Sequence, residues 1–181
     1  KGLIHIYCGD GKGKTTAAAG LALRMAGAGK RVLFTQFFKD GSSSEIAVLS
    51  RIPGVDVRVV TEPFGFVWTM DEEELARAKK AYTGLLHEAE VLCRDACLPD
   101  GEPGGYGLLV LDEIISAVNC DVVPEKDVLD LIACRPEGLE IVLTGRDPSP
   151  ALCGIADYMT EMRKLRHPYD EGTAGRRGIE Y

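Results

Sequence analysis

The residues Cys8-Gly9-Asp10-Gly11-Lys12-Gly13-Lys14-Thr15 stand between a short apolar run, Leu3 to Tyr7, and an alanine-rich stretch from Thr16 to Ala28. Strand, glycine-rich loop and helix in that order make a phosphate cradle. Backbone N–H groups turn inward around an anion and the helix N-terminus adds its positive dipole end. Lys14 reaches the outer phosphates, and the Thr15 hydroxyl holds Mg²⁺. The expected ligand is a nucleoside triphosphate. The pattern departs from G-x-x-x-x-G-K-[ST] at its first position, where Cys8 replaces glycine; Gly9 and Gly11 supply flexibility nearby. Lys12 beside Lys14 suits a highly charged anion better than a structural turn.

At 181 residues the chain is expected to form one domain, spanning 1–181, with a core large enough to need no staples. A formal charge of −7 argues against general nucleic-acid binding. The six cysteines, at 8, 93, 97, 120, 134 and 153, lie in or beside apolar stretches without a C-x-x-C pair. They read as reduced core residues of a cytoplasmic protein, with a zinc site at His87, Cys93 and Cys97 the less favoured account. No run is long enough to span a bilayer and nothing resembles a signal peptide. The chain opens on Lys1 rather than Met, so residues ahead of it are expected.

Strands and helices alternate. Leu3–Cys8, Arg31–Phe37, Val55–Val60, Leu108–Glu113, Leu139–Leu143 and a segment near Tyr158–Met162 read as strands. Thr15–Ala28, a short helix capped by Ser42-x-x-Glu45, Asp71–Cys97 capped by Thr69-x-x-Glu72, a helix from near Pro124 and Pro150–Ala156 read as helices. Leu98–Gly107 reads as a loop. The predicted fold is a single-domain, RecA-like P-loop α/β sandwich of three layers with a mostly parallel sheet of about six strands.

Leu108–Glu113 is an apolar run ending in two carboxylates, as a central parallel strand should look. Asp112 or Glu113 would then emerge beside the phosphate loop and complete the Mg²⁺ shell directly or through water. Arg146, after the next strand, is placed to touch the phosphates. Phe66 and Trp68 stand two apart in a predicted extended loop, so they point to one side, either over the core or toward a ligand. The basic tail around Arg163, Lys164 and Arg166, taken alone, reads as a solvated surface. Folds of this kind serve kinases, motors, switches and transferases, so the reaction does not follow from them.

Taken together, the motifs closely resemble the P-loop ATP:corrinoid adenosyltransferases. The resemblance rests on Gly9 to Thr16, Gln36-Phe37-Phe38-Lys39, Gly65 to Trp68, Leu111-Asp112-Glu113, Arg135-Pro136 and Thr144-Gly145-Arg146. It continues through Ala156 to Arg163, His167-Pro168 and Gly178 to Tyr181, and so covers essentially the whole chain. It implies transfer of the 5′-deoxyadenosyl group from ATP to the cobalt of a reduced corrinoid, with release of triphosphate. It also implies a nucleotide bound in the reverse of the usual P-loop sense, with C5′ facing the corrin.

On this resemblance Gly9, Asp10, Gly11, Lys12, Gly13, Lys14, Thr15, Thr16 and Arg146 bind ATP. Thr15, Asp112 and Glu113 hold Mg²⁺ or Mn²⁺, and Lys14 acts on the leaving group. Phe66 and Trp68 occupy the lower face of the corrin, keep a donor ligand off cobalt and ease reduction of Co(II). The expected partners are ATP, a corrinoid, a flavoprotein electron donor and a second copy of the chain. Many relatives carry Asn at the position of Asp10, where a carboxylate near a triphosphate is repulsive unless it points away or binds metal. Many also carry glycine at that of Ser44, so no role is carried over to Glu45. Two alternatives stay open: another P-loop kinase or ATPase, which would make ADP, and a nucleotide-dependent corrinoid-binding module without turnover.

Overall fold

In a computed structural model, residues 1–95 and 105–179 are described. Cys97, the end of the predicted long helix, most of the Leu98–Gly107 loop, and Glu180 and Tyr181 lie outside them.

Six strands form one sheet: β1 (Ile4–Cys8), β2 (Arg31–Gln36), β3 (Val55–Val59), β4 (Tyr106–Asp112), β5 (Glu140–Thr144) and β6 (Tyr158–Glu161). Their order is β3-β2-β4-β5-β1-β6, and every pairing is parallel. Among the described residues six α-helices connect or follow them: α1 (Lys14–Gly27), α2 (Ser44–Leu49), α3 (Glu72–Asp95), α4 (Ile114–Asn119), α5 (Glu125–Ala133) and α6 (Pro150–Ile155).

Strand alternation sends successive side chains to opposite faces, and each face is covered. Ile4, Ile6, Leu33, Leu109, Leu111, Ile141 and Leu143 pack with the α3 stripe Ala78, Tyr82, Leu85, Leu86 and Ala89 and with Val128, Leu131 and Ile132 of α5. On the other face Val32, Phe34, Leu108, Val110 and Val142 pack on Ala18 and Ala22 of α1 and Ile46 and Leu49 of α2. Small alanines let α1 lie close to the sheet. It crosses β5 and β4 to deliver the chain to β2, which leaves its N-terminus over the C-terminal ends of the central strands. That edge is where open parallel sheets bind ligands.

Several local expectations change. The sheet is wholly parallel. β4 begins at Tyr106 and ends at Asp112; Glu113 leaves it in a left-handed conformation, φ 63°, and starts α4, a helix the sequence pattern did not reveal. Asp71 caps α3, its Oδ1 accepting the Glu74 N–H at 2.8 Å, while the Thr69 hydroxyl donates to the Phe66 carbonyl. Ser42 caps nothing: α2 starts after Ser43, and the Glu45 carboxylate faces Gln36 instead of closing a box. Cys134 is exposed, contrary to the core reading of the cysteines, whereas Cys8 and Cys93 are buried. No described helix is long and apolar enough to cross a membrane.

Candidate active site: a phosphate cradle at the strand ends

The loop after β1 owes its shape to close packing against the exit of β6. Gly9 has φ 106°, and a Cβ there would stand 2.4 Å from the Met162 carbonyl oxygen. The same oxygen accepts the Gly11 N–H at 2.6 Å. Only glycine meets both demands. Cys8, at the position of the pattern's usual first glycine, is still strand: it is buried, and its thiol points to the Thr160 carbonyl of β6. The cradle proper starts one residue later.

Gly13 caps α1 with φ 113°, offers no side-chain acceptor, and no acidic residue follows in the first turn. The first amides of a 14-residue helix are therefore left open to an external anion. The Lys14 ammonium reaches back across the loop to the carbonyls of Gly9 at 2.8 Å and Gly11 at 2.9 Å. Burial holds its pKa below the ordinary lysine value, with Glu113 opposing that shift.

The departure at Asp10 finds a physical resolution. Its Oδ1 accepts the backbone N–H of Lys164 at 2.9 Å, and this hydrogen bond holds its pKa below the usual carboxylate value. The carboxylate thereby ties the loop to the segment after β6.

At the end of β4, Asp112 is fully buried. It accepts from Thr144 Oγ1 at 2.7 Å, Gln36 Nε2 at 3.0 Å and Thr15 Oγ1 at 3.1 Å. Burial pushes its carboxyl above the ordinary value, against Lys39 and the Thr144 and Gln36 donors, which pull it down. Glu113 accepts from the Ser116 hydroxyl at 2.6 Å, and its N–H donates to Thr144 Oγ1 at 2.8 Å. The left-handed backbone at Glu113 aims its side chain differently from that of Asp112. Asp112 lies behind the loop beside Thr15, whereas Glu113 lines the cleft.

That cleft has a volume of about 760 Å³. The structure brings Asp10, Gly11, Lys12, Gly13, Lys14, Thr15 and Thr16 to it, together with Glu113 and Arg146. It adds residues that the sequence reading gave no site role: Lys39 and Glu45, and from the tail His167, Tyr169, Thr173 and Ile179. The tail is thus more than a solvated surface, although Arg163, Lys164 and Arg166 are exposed. A pointer existed in the order of motifs, since Gln36 to Lys39, Thr144 to Arg146 and His167-Pro168 all recur in the resemblance. Only the strand order shows that the first two end beside Asp112.

Phe66 and Trp68 do not line this cleft. They flank and enter a 3₁₀ turn, Val67–Thr69, rather than an extended loop, and their rings stack at 4.7 Å with 6° between planes. They are 68% and 78% exposed, so they do not cover the core. His87 pairs with Glu90, and Cys93 is buried with its thiol pushed up to about 12.

Among the described residues no three or more His, Cys, Asp or Glu side chains are grouped to hold a metal by themselves. Mg²⁺ does not require such a cage, because it takes one or two carboxylates, waters and substrate phosphates. The all-oxygen set of Thr15, Asp112 and Glu113 beside the open amides of α1 fits that chemistry.

A parallel sheet with this loop after its first strand defines a P-loop nucleotide-binding protein. Two ATPase structures share the fold: EssC (ATPases 2 and 3) from Geobacillus thermodenitrificans and the cytoplasmic domain of the Thermomonospora curvata type VII secretion ATPase EccC. Their TM-scores are 0.53 and 0.52 at 16% and 19% identity. The similarity covers 99% and 93% of this chain but only 36% and 21% of those longer chains, and it speaks to fold alone. The sequence model of the ATP:corrinoid adenosyltransferase BtuR/CobO/CobP family matches residues 1–181, and the chain belongs to that family. It is 31% identical over 181 residues to the corrinoid adenosyltransferase CobA of Salmonella typhimurium, covering 100% of this chain and 86% of that one. The corrinoid adenosyltransferase of Pseudomonas aeruginosa is similar at 32% over 185 residues, with 100% and 84% covered.

Proposed function

We propose that this chain transfers the 5′-deoxyadenosyl group of ATP to the Co(I) centre of a reduced corrinoid, with residues 1–181 acting as one catalytic domain. The family match over the whole chain, joined to an intact triphosphate cradle, carries this reading. In the reaction the cobalt electron pair forms a Co–C bond to C5′. The C5′–O bond breaks, and triphosphate leaves with the electron pair of that C5′–O bond. Co(I) is so strong a nucleophile that no protein base is needed. The protein's task is alignment and stabilisation of the departing charge.

The cleft geometry and the family membership support the following roles. The Gly13, Lys14, Thr15 and Thr16 amides receive the triphosphate, Gly11 shapes the loop against Met162, and Lys12 and Arg146 add positive charge at the rim. Lys14 exchanges the carbonyls of Gly9 and Gly11 for phosphate oxygens. Asp10 holds the loop to Lys164. Thr15 and Asp112, with Glu113 at the cleft, would hold Mg²⁺ or Mn²⁺, which would supply charge neutralisation on the phosphates. Phe66 and Trp68, a flat exposed apolar pair, provide the wedge against the corrin's lower face. A flavoprotein reducing Co(II), a homodimeric state and a cytoplasmic location complete the proposal.

The test is anaerobic incubation of the protein with ATP, Mg²⁺ and chemically reduced corrinoid. A light-sensitive Co–C product is expected. Binding of both substrates without that product would identify a corrinoid-binding module instead.

A further inference from the structure

Lys39 stands where a cation is needed. β2 ends at Gln36, and the chain then bends through Phe38, whose φ of 57° is left-handed, a conformation bulky side chains adopt only under constraint. The Phe38 ring packs edge-on against Tyr82 at 5.4 Å, anchoring the bend in the core. The bend carries the Lys39 ammonium to 3.9 Å from Asp112 Oδ2 and 3.8 Å from Glu45 Oε1. Between these carboxylates Gln36, fully buried, donates Nε2 to Asp112 at 3.0 Å and to Glu45 at 3.2 Å. Its Oε1 is buried with no hydrogen-bond partner. An orphaned acceptor beside two carboxylates is costly unless a donor meets it, and a metal's hydration shell is a donor.

We propose that Lys39 is a resident counter-ion that competes with the divalent ion for the Asp112–Glu45 pair and passes to the triphosphate when nucleotide binds. Glu45 is then a further carboxylate toward the metal shell besides Asp112 and Glu113, and Gln36 Oε1 accepts from a water of that shell. The inference rests on the nucleotide reading above but not on adenosyl transfer. An ammonium and a dication cannot share one carboxylate pair at contact distance without strong repulsion. Lys39 has somewhere to go, because it lines the same cleft as Lys12, Lys14 and Arg146. The arrangement makes metal and triphosphate binding mutually favourable: the triphosphate draws Lys39 off the carboxylates, and the metal replaces its charge.

The test is Mn²⁺ binding to the whole chain, followed by electron paramagnetic resonance, with and without inorganic triphosphate. Lys39→Met should tighten binding of Mn²⁺ alone by about fivefold or more and reduce its coupling to triphosphate by a similar factor. Lys39→Arg, which keeps the charge, should behave as the parent chain. Glu45→Gln should weaken Mn²⁺ binding in the presence of triphosphate. Unchanged or weaker binding of Mn²⁺ alone by a folded Lys39→Met protein, or undiminished coupling in it, would overturn the proposal. Failure of the parent chain to bind triphosphate at all would instead strike the nucleotide reading.

Discussion

Replacing Trp68 by alanine separates a functional aromatic from a structural one. Trp68 is 78% exposed, so the truncation removes little buried surface. What is lost is its stack on Phe66, centroids 4.7 Å apart, of order 0.5–1.5 kcal/mol beyond area burial. Stability should fall by no more than about that amount, and ATP binding should hold, because the pair does not line the phosphate cleft. Adenosylation starting from Co(II) and a mild biological reductant should drop at least tenfold, about 1.4 kcal/mol, because the corrinoid keeps its lower ligand and resists reduction. When Co(I) is generated chemically beforehand, most of the rate should return. An equal fall in both assays would show that Trp68 positions the corrin rather than easing its reduction. No fall in either would leave it without a role in the reaction.

Three further outcomes are expected. Lys14→Ala should lose about 2–4 kcal/mol of transition-state stabilisation, read from kcat/KM, and activity within a few-fold of the parent would remove Lys14 from the leaving-group site. Gly9→Ala forces a non-glycine residue to φ 106° and a Cβ to 2.4 Å from the Met162 oxygen. Strain alone costs about 1–3 kcal/mol, so denaturant titration should show a clear loss, and an unchanged midpoint would contradict the tight loop packing. At pH 8 an alkylating reagent, followed by peptide mapping, should modify exposed Cys134 well before buried Cys93, whose thiol is pushed up to about 12; equal rates would contradict that burial.

The phosphate loop was legible because its chemistry is local: glycines, two lysines and a threonine declare the cradle wherever the strand and helix lie. The central strands were equally plain, being buried on both faces and so nearly continuous in apolar residues. What escaped depends on the backbone or on distant chain. α4 was hidden because Glu113 takes a left-handed φ that no local pattern announces. The cap of α3 moved from Thr69 to Asp71, a competition between adjacent acceptors that spacing does not decide. Asp10 looked ill-placed beside phosphates until the Lys164 N–H, 154 residues away, gave its carboxylate another partner. Lys39 meets Asp112, and Gln36 links Glu45 to it, only because β2 lies next to β4 in the sheet, a matter of strand order rather than of sequence neighbourhood.

The central claim is that the bond broken lies between C5′ and the triphosphate. The direct measurement uses ATP carrying ¹³C at C5′, with Mg²⁺ and preformed Co(I) corrinoid, and reads carbon and phosphorus spectra of one anaerobic reaction. The account predicts the label in a Co–C bond and inorganic triphosphate released in equal amount. ADP with phosphate, and label remaining in a nucleotide, would contradict it.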